Sequence, residues 1–219
     1  MKTLSRNRQT GATLLLALIL LAVVTVLTVS NMREVTLEGR MTANRMQAQQ
    51  LQITSESALR EAEKRFYGPA YTEEKLTEKA ENCQKSNVYN ALANKPCLIK
   101  LTDTATIDRA AHLSFQLNPL EFIKNSTYLS NWTGVKTESA GNTAFTPWMP
   151  YRGTDPASAS ALEHKAYWNS VRIPAEGVNA EYGDALQGKG TYFYLITAQA
   201  ADQFAVQSTM ANIYVGINN

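Results

Sequence analysis

The sequence predicts an α+β protein in which one long N-terminal helix, first transmembrane and then amphipathic, packs on an antiparallel β-sheet head. Three observations predict this fold. Residues 12–30 form an uncharged apolar run, and helix-forming residues continue from there to Phe66 without a proline. All ten tyrosines and all three tryptophans follow residue 66, so the aromatic core belongs to the C-terminal part. We expect four segments: a leader (1–11), a transmembrane helix (12–30), its amphipathic continuation (31–67) and a globular head (68–219).

The apolar run is long enough to cross a bilayer. At 1.5 Å per residue, residues 12–30 span about 28 Å, close to the ~30 Å hydrocarbon thickness. An ordinary cleaved signal peptide is the alternative, and its apolar region is usually shorter, ~7–15 residues. No small-x-small cleavage site closes the run, and helix-forming residues follow it directly. The membrane-spanning helix is therefore the favoured interpretation.

The helix continues beyond the membrane as an amphipathic segment. Seven apolar residues recur at gaps of three, four and seven, which places them on one helix stripe: Leu37, Met41, Ala48, Leu51, Ala58, Ala62 and Phe66. We expect the part from about Leu51 to pack on the head and the part before it to need neighbours from other chains. A coiled-coil stalk is the alternative, although Gln49 and Ser55 interrupt a strict heptad seam.

The head shows a mixed pattern of short elements. The composition predicts a short helix at 72–81, a second helix at 157–168, and four strands at 98–103, 112–117, 191–198 and 204–215. The last two strands are rich in aromatic and β-branched residues and are separated by a short turn. They are predicted to form a hairpin.

Two cysteines, Cys83 and Cys97, follow the membrane segment. An even count beyond an export segment favours a disulfide in an oxidising compartment, and two reduced structural thiols are the alternative. Basic residues on the two sides of the apolar run are equal in number, so flanking charge does not set the orientation. The cysteine pair favours a head outside the cytoplasm.

The sequence contains no catalytic or metal-binding motif. The two histidines, His112 and His164, have no second ligand at metal-binding spacing, and we expect both to be ordinary solvated residues, His164 on a surface helix. No cofactor, metal or catalytic residue is predicted, and the net charge of +2 gives no argument for nucleic acid as a partner. The loop aromatics Trp132, Trp148 and Tyr151 either form a contact surface or close over the core.

The N-terminal residues resemble a known family. A short basic leader ending in Gly11, then Ala12, an apolar helix and an amphipathic extension resemble the class III leader of type IV pilins and pseudopilins. Residues 4–63 look specifically like PilX-type minor pilins, which are related to K-type pseudopilins. The resemblance implies a pilin-like fold, cleavage between Gly11 and Ala12 by a prepilin peptidase, and N-methylation of Ala12.

One position departs from the family pattern. Major pilins carry a glutamate five residues into the mature chain, where this sequence has Leu16. In the family that acid is thought to neutralise the amino terminus of a neighbouring subunit. A carboxylate at membrane depth costs roughly 2.5–3.5 kcal/mol. Leu16 therefore favours a minor subunit at the filament tip, which never docks beneath another subunit.

The resemblance predicts a minor pilin that primes assembly at or near the tip of a type IV pilus. It implies as partners other minor pilins, the major pilin, a large tip adhesin, the prepilin peptidase and the inner membrane. The head would lie in the periplasm before assembly and at the extracellular tip afterwards. The alternatives are a K-type pseudopilin of a type II secretion system, a secreted binding protein with a cleaved signal peptide, and an uncleaved membrane-anchored sensor.

Overall fold

The computed structural model describes residues 10–68, 70–90, 94–99, 117–120, 146, 148–153, 162, 164–173 and 189–215. The named elements within these residues are a long helix, two short helical segments and four strands. They are α1 (Thr10–Lys64), α2 (Thr72–Leu76), a 3-10 turn (Ala80–Asn82), β1 (Met149–Pro150), β2 (Ala166–Ile173), β3 (Lys189–Ala200) and β4 (Phe204–Val215). The chain divides into two compact units, Met1–Ala48 and Gln49–Asn219.

The first unit contains the predicted membrane helix. α1 is the described helix that is long and apolar enough to span a bilayer, with a mean hydropathy of 2.8 over its most apolar window. Two threonine hydroxyls in the apolar run donate hydrogen bonds to the preceding turn, Thr25 to the Ala22 carbonyl at 2.8 Å and Thr28 to the Val24 carbonyl at 2.9 Å. These polar groups are thereby satisfied within the helix, as a membrane interior requires.

The second unit contains an antiparallel sheet with the strand order β1-β2-β3-β4. The predicted C-terminal hairpin is confirmed, with β3 and β4 in register from Ala200 opposite Phe204 to Lys189 opposite Val215. The turn places Ala201 and Asp202 at φ of 52° and 56°, in the left-handed region. The Gln199 side chain accepts from the Asp202 backbone N–H at 2.8 Å and donates to its carboxylate at 2.9 Å, which supports this turn.

The C-terminal part of α1 packs on this sheet. Leu51 is the first buried residue of the helix, and Ala58, Ala62 and Phe66 continue the buried stripe that the sequence predicts. The rings of Phe66 and Tyr194 lie 4.5 Å apart between their centroids, which joins the end of the helix to β3. The α+β architecture of a long helix on an antiparallel sheet is confirmed.

The predicted helix at 157–168 is wrong at its C-terminal end. Ala166 begins β2, and Trp168 pairs with Ala198 of β3. Trp168 is fully buried, so tertiary pairing and core packing override the local helical pattern. His164 precedes the strand, is half-buried and lies in a bend, so it is not on a surface helix. Most of residues 157–163 fall outside the described residues.

The other short elements agree only in part with the sequence pattern. The helix predicted at 72–81 is divided, because Thr77 adopts an extended conformation between α2 and the 3-10 turn. The strand predicted at 98–103 appears as a single parallel bridge from Leu98 to Ser170, and residues 100–103 lie outside the described residues. Of the strand predicted at 112–117, only Leu117 is described, and it is helical.

A disulfide joins Cys83 to Cys97, across a sequence separation of 14. Both ends of this loop are held by backbone hydrogen bonds. The Cys83 carbonyl accepts from the Thr146 N–H at 2.8 Å, and the Cys97 carbonyl accepts from the Ser170 N–H at 3.2 Å. The Cys97 end of the loop is thus fixed to β2, and the Cys83 end is fixed to Thr146.

Replacing both cysteines tests the contribution of this loop. The double variant C83S/C97S should lose about 3 kcal/mol of unfolding free energy, because its unfolded chain is no longer restrained by a closed loop. The measurement is urea unfolding of the full chain in detergent micelles, followed by tryptophan fluorescence. Reduction of the wild-type chain is the matched control and should give the same midpoint. A loss below about 1 kcal/mol would contradict the prediction.

Candidate assembly interface

The apolar run of α1 exposes large side chains on every side of the helix. All described residues from Ala12 to Gln50 are exposed. The large apolar residues among them, before the first charge at Arg33, are Leu14, Leu15, Leu16, Leu18, Ile19, Leu20, Leu21, Val23, Val24, Val26, Leu27, Val29 and Met32. A helix that is apolar all round requires lipid or other protein around it. This surface therefore needs an environment that one chain does not supply.

The helix remains partly apolar beyond the membrane-spanning run. Leu37 and Met41 are 61% and 59% exposed, and Ala48 on the same stripe is also exposed. Burying such surface gains about 25 cal/mol per Å². The lower part of the predicted stripe is thus available for neighbours, whereas its upper part is covered by the sheet.

The structure places the predicted processing residues at the start of α1. Gly11 and Ala12 both lie within the helix, and residues 1–9 of the leader fall outside the described residues. Cleavage and methylation at this position stay predictions. Leu16 is 63% exposed on the apolar surface.

A buried carboxylate anchors α1 in the head. Glu61 is fully buried and accepts four hydrogen bonds from separate parts of the fold. The donors are the backbone N–H groups of Arg152 at 2.8 Å and Gly153 at 3.0 Å, the Trp168 indole at 3.3 Å and the Arg65 guanidinium at 3.2 Å. Each carboxylate oxygen therefore has two partners, which compensates for its removal from water.

Arg65 links this carboxylate to the disulfide loop. Its guanidinium donates to the Asn87 side chain at 3.0 Å and to the Asn87 carbonyl at 3.1 Å. The guanidinium also lies over the rings of Tyr89 and Trp168, 5.4 Å and 5.5 Å from the centroids. Burial lowers the pKa of Arg65, and the adjacent Glu61 charge opposes that shift. A single ion pair thereby connects the helix, β2 and the disulfide loop.

The C-terminal end of α1 is capped by side chains from distant elements. Lys75 of α2 is fully buried, and its ammonium donates to the carbonyls of Tyr67 at 3.1 Å and Gly68 at 2.7 Å. Asn94 also donates to the Tyr67 carbonyl, and Asn212 of β4 donates to the Phe66 carbonyl at 3.3 Å. Unpaired carbonyls concentrate negative charge at this end of a helix and attract the ammonium, whereas burial opposes its charged form.

The structural roles of Glu61, Arg65 and Lys75 were not predicted from the sequence. The signal for the first two was available, because Glu61 and Arg65 form an i,i+4 pair on either side of Ala62, a position of the predicted buried stripe. No comparable signal existed for Lys75, whose partners are main-chain carbonyls. Glu61 and Arg65 stabilise the joint between helix and sheet, and Lys75 joins α2 to the end of the helix.

The described residues contain no cluster of His, Cys, Asp and Glu that could hold a metal ion. The loop aromatics are divided by the structure. Trp148 is buried in the core, Tyr151 packs against the core half-buried, and Trp132 falls outside the described residues. For the two described aromatics, the interpretation as core residues is therefore confirmed.

Comparison with known families identifies the N-terminal segment. The family model described as PilX N-terminal matches residues 10–60. The resemblance to PilX-like minor pilins is confirmed over these residues, which supports a type IV pilus minor pilin. No curated protein and no solved structure matches the chain.

Removing the charge of Glu61 should destabilise the head. Glu61→Gln leaves Arg65 as a buried charge without a carboxylate partner. The new glutamine also places an amide NH2 group against N–H donors that need an oxygen acceptor. The expected loss is about 3 kcal/mol of unfolding free energy, measured by urea unfolding in micelles. Glu81→Gln, at an exposed position, is the matched control and should change stability by less than about 0.5 kcal/mol. Equal stability of the two variants would refute the anchoring role.

Lys75 should make stability depend on pH. Burial lowers the pKa of Lys75 to about 8, whereas an unfolded lysine titrates near 10.4. Between these values the unfolded chain binds more protons, so the Lys75 contribution to the unfolding free energy rises with pH. The neutral amine still has two N–H donors for its two carbonyl partners.

The variant Lys75→Met isolates this effect, because it keeps the apolar stem and removes the titrating group. The unfolding free energy of the wild type minus that of the variant should increase between pH 7.5 and pH 9.5, measured by urea unfolding at both values. A constant or decreasing difference would show that Lys75 stays charged in the folded state.

Proposed function

We propose that this chain is a minor pilin that primes assembly of a type IV pilus and occupies a position at or near the tip. It acts by helix–helix packing and catalyses no reaction. The observation that carries this proposal is the exposed apolar surface of α1, on the same residues that match the PilX N-terminal family model.

The physical basis is an exchange of environments. Before assembly, residues 12–30 are held in the inner membrane by lipid. During assembly they leave lipid and contact the apolar helices of other subunits, so no apolar surface enters water. The exposed stripe at Leu37, Met41 and Ala48 gains additional burial in that step. The free energy of docking comes from this burial and from close helix packing.

Leu16 supports a position at the end of the filament. In the pilin family that this chain resembles, a subunit beneath another uses a carboxylate to pair with the amino terminus above it, and an unpaired carboxylate in an apolar environment is costly. Leu16 avoids that cost. A subunit that starts the filament has no subunit above it, because it is added first and stays outermost. It therefore does not need the carboxylate.

The processing sites follow from the same proposal. A prepilin peptidase would cleave between Gly11 and Ala12 and methylate Ala12, while the head stays in the periplasm, where the Cys83–Cys97 disulfide persists. The proposed partners are other minor pilins, the major pilin and a large tip adhesin. The head would reach the extracellular side at the pilus tip.

Counting and measuring pili tests the priming role. A primer determines how many filaments start, whereas a subunit of the shaft also affects how far they grow. Deleting the gene should therefore reduce the number of pili per cell and leave the length distribution of the remaining pili unchanged. Electron microscopy of cells prevented from retracting their pili supplies both values.

Processing is tested with the full chain carrying Gly11→Val, which should neither be cleaved nor restore pili. Mass spectrometry of the wild-type chain should find a monomethylated start at Ala12. Normal pilus number in the deletion, or a mature start near Ser30, would refute the proposal. Normal pili with lost protein secretion would identify the K-type pseudopilin role instead.

A further inference from the structure

A second apolar stripe lies on α1 beyond the membrane-spanning run. Met32, Val35, Gly39, Thr42 and Met46 follow one another at alternating gaps of three and four residues, which places them on one helix face. We call this face the second seam. The stripe of Leu37, Met41 and Ala48 is the first seam.

Charged residues separate the two seams on both sides. Arg33 and Arg40, seven residues apart, form one row between them, and Glu34, Glu38 and Arg45 form the row on the other side. A single broad apolar face would bury against one surface. Two narrow faces with charges between them indicate two separate contacts.

The second seam is open to a neighbour along its length. Met32, Val35 and Met46 are 71%, 67% and 58% exposed. At the centre of the seam, a Cβ placed on Gly39 would meet nothing within 4 Å. Glycine within a helix costs about 1 kcal/mol relative to alanine, and close approach of another backbone is a reason to keep it.

The spacing of the second seam specifies a helix as its occupant. Alternating three and four corresponds to positions a and d of a heptad, which pack against one partner helix at a crossing angle near +20°. The same spacing continues back into the apolar run through Thr28, Thr25, Leu21 and Leu18. A helix that follows the seam therefore also enters the membrane.

The flanking charges distinguish a second copy from a different subunit. Glu38 and Arg45 precede Gly39 and Met46 and so occupy g positions. In a parallel pair of identical helices they would face the e positions Ala43 and Gln50, which carry no charge. A different helix with a basic residue opposite Glu38 and an acidic residue opposite Arg45 would pair with both.

We propose that the second seam binds the helix of a different subunit, which carries that charge pattern on its continuation beyond the membrane, while the first seam faces another neighbour. The inference rests on the proposed function and adds the identity of a contact face and of its partner chemistry. In this arrangement α1 occupies the space between two helices.

Site-specific photo-crosslinking in cells that carry the full chain tests the inference. The photo-crosslinking amino acid benzoylphenylalanine replaces Val35 on the second seam, Leu37 on the first seam or Arg40 on the charged row between them. Position 35 should give an adduct with a membrane-spanning polypeptide other than this chain. Mass spectrometry of this adduct should identify the crosslinked helix of the partner. That helix should carry a basic and an acidic residue seven positions apart, facing Glu38 and Arg45. Position 40 should give less of that adduct.

Charge reversal then tests the pairing. E38R/R45E should reduce the adduct from position 35 about tenfold, because two favourable pairs become unfavourable ones. Reversing the two opposing charges of the partner in the E38R/R45E background should restore the yield of that adduct. R33E/R40E, which changes two charges outside the g positions, is the matched control and should leave it unchanged.

Three results would overturn the inference: adducts that contain only two copies of this chain, equal yields from positions 35 and 40, or no protein adduct from position 35. If position 37 still forms adducts and pili are normal in number, the proposed function stands and the second seam alone is rejected. If the deletion strain also has normal pili, the proposed function itself fails.

Discussion

The apolar surface of α1 cannot stay in water, and the other features of the molecule are arranged around that constraint. Between Arg8 and Arg33 the chain has no charge, and the described side chains of that run are exposed. In the proposed assembly, lipid would satisfy such a surface at first, and neighbouring helices would satisfy it equally well because they are also apolar. The difference in free energy between these two environments is small, so packing geometry rather than hydrophobicity selects the final arrangement. The charged residues between the two seams of α1 therefore contribute to selecting that arrangement.

The joint between α1 and the sheet uses buried polar groups where apolar contacts alone would stabilise it equally well. Glu61 and Arg65 hold β2, the segment at Arg152 and the disulfide loop in one arrangement. Such networks seldom raise stability, since desolvation offsets much of the attraction. Their effect is to permit one geometry, because every donor must meet its acceptor. The network therefore fixes how residues 49–66 of the helix region pack on the sheet, rather than adding stability.

The sequence predicted those parts of the structure that depend on local patterns. The membrane run, the amphipathic stripe and the β3–β4 hairpin each have a period or a turn that a short window contains. β2 was not predicted: residues 166–168 were assigned to the end of a helix, whose local pattern is overridden by pairing with β3, and no element was predicted at 169–173. The partners of Glu61 were also out of reach, since the Trp168 indole lies 107 positions along the chain from it. The second seam needed only helical geometry and the knowledge of which residues stay exposed.

In the proposed filament, the disulfide would have a mechanical consequence. Tension that enters the chain from α1 and continues towards the sheet passes through the sulfur–sulfur bond from Cys83 to Cys97. The residues between the cysteines are bypassed and cannot be drawn out, which removes about 45 Å of extensible contour length. Asn87 lies within that shielded loop and holds Arg65, so stretching the polypeptide does not directly unravel the segment that grips the helix end. The disulfide therefore protects the contacts between the head and the end of α1 against tensile force.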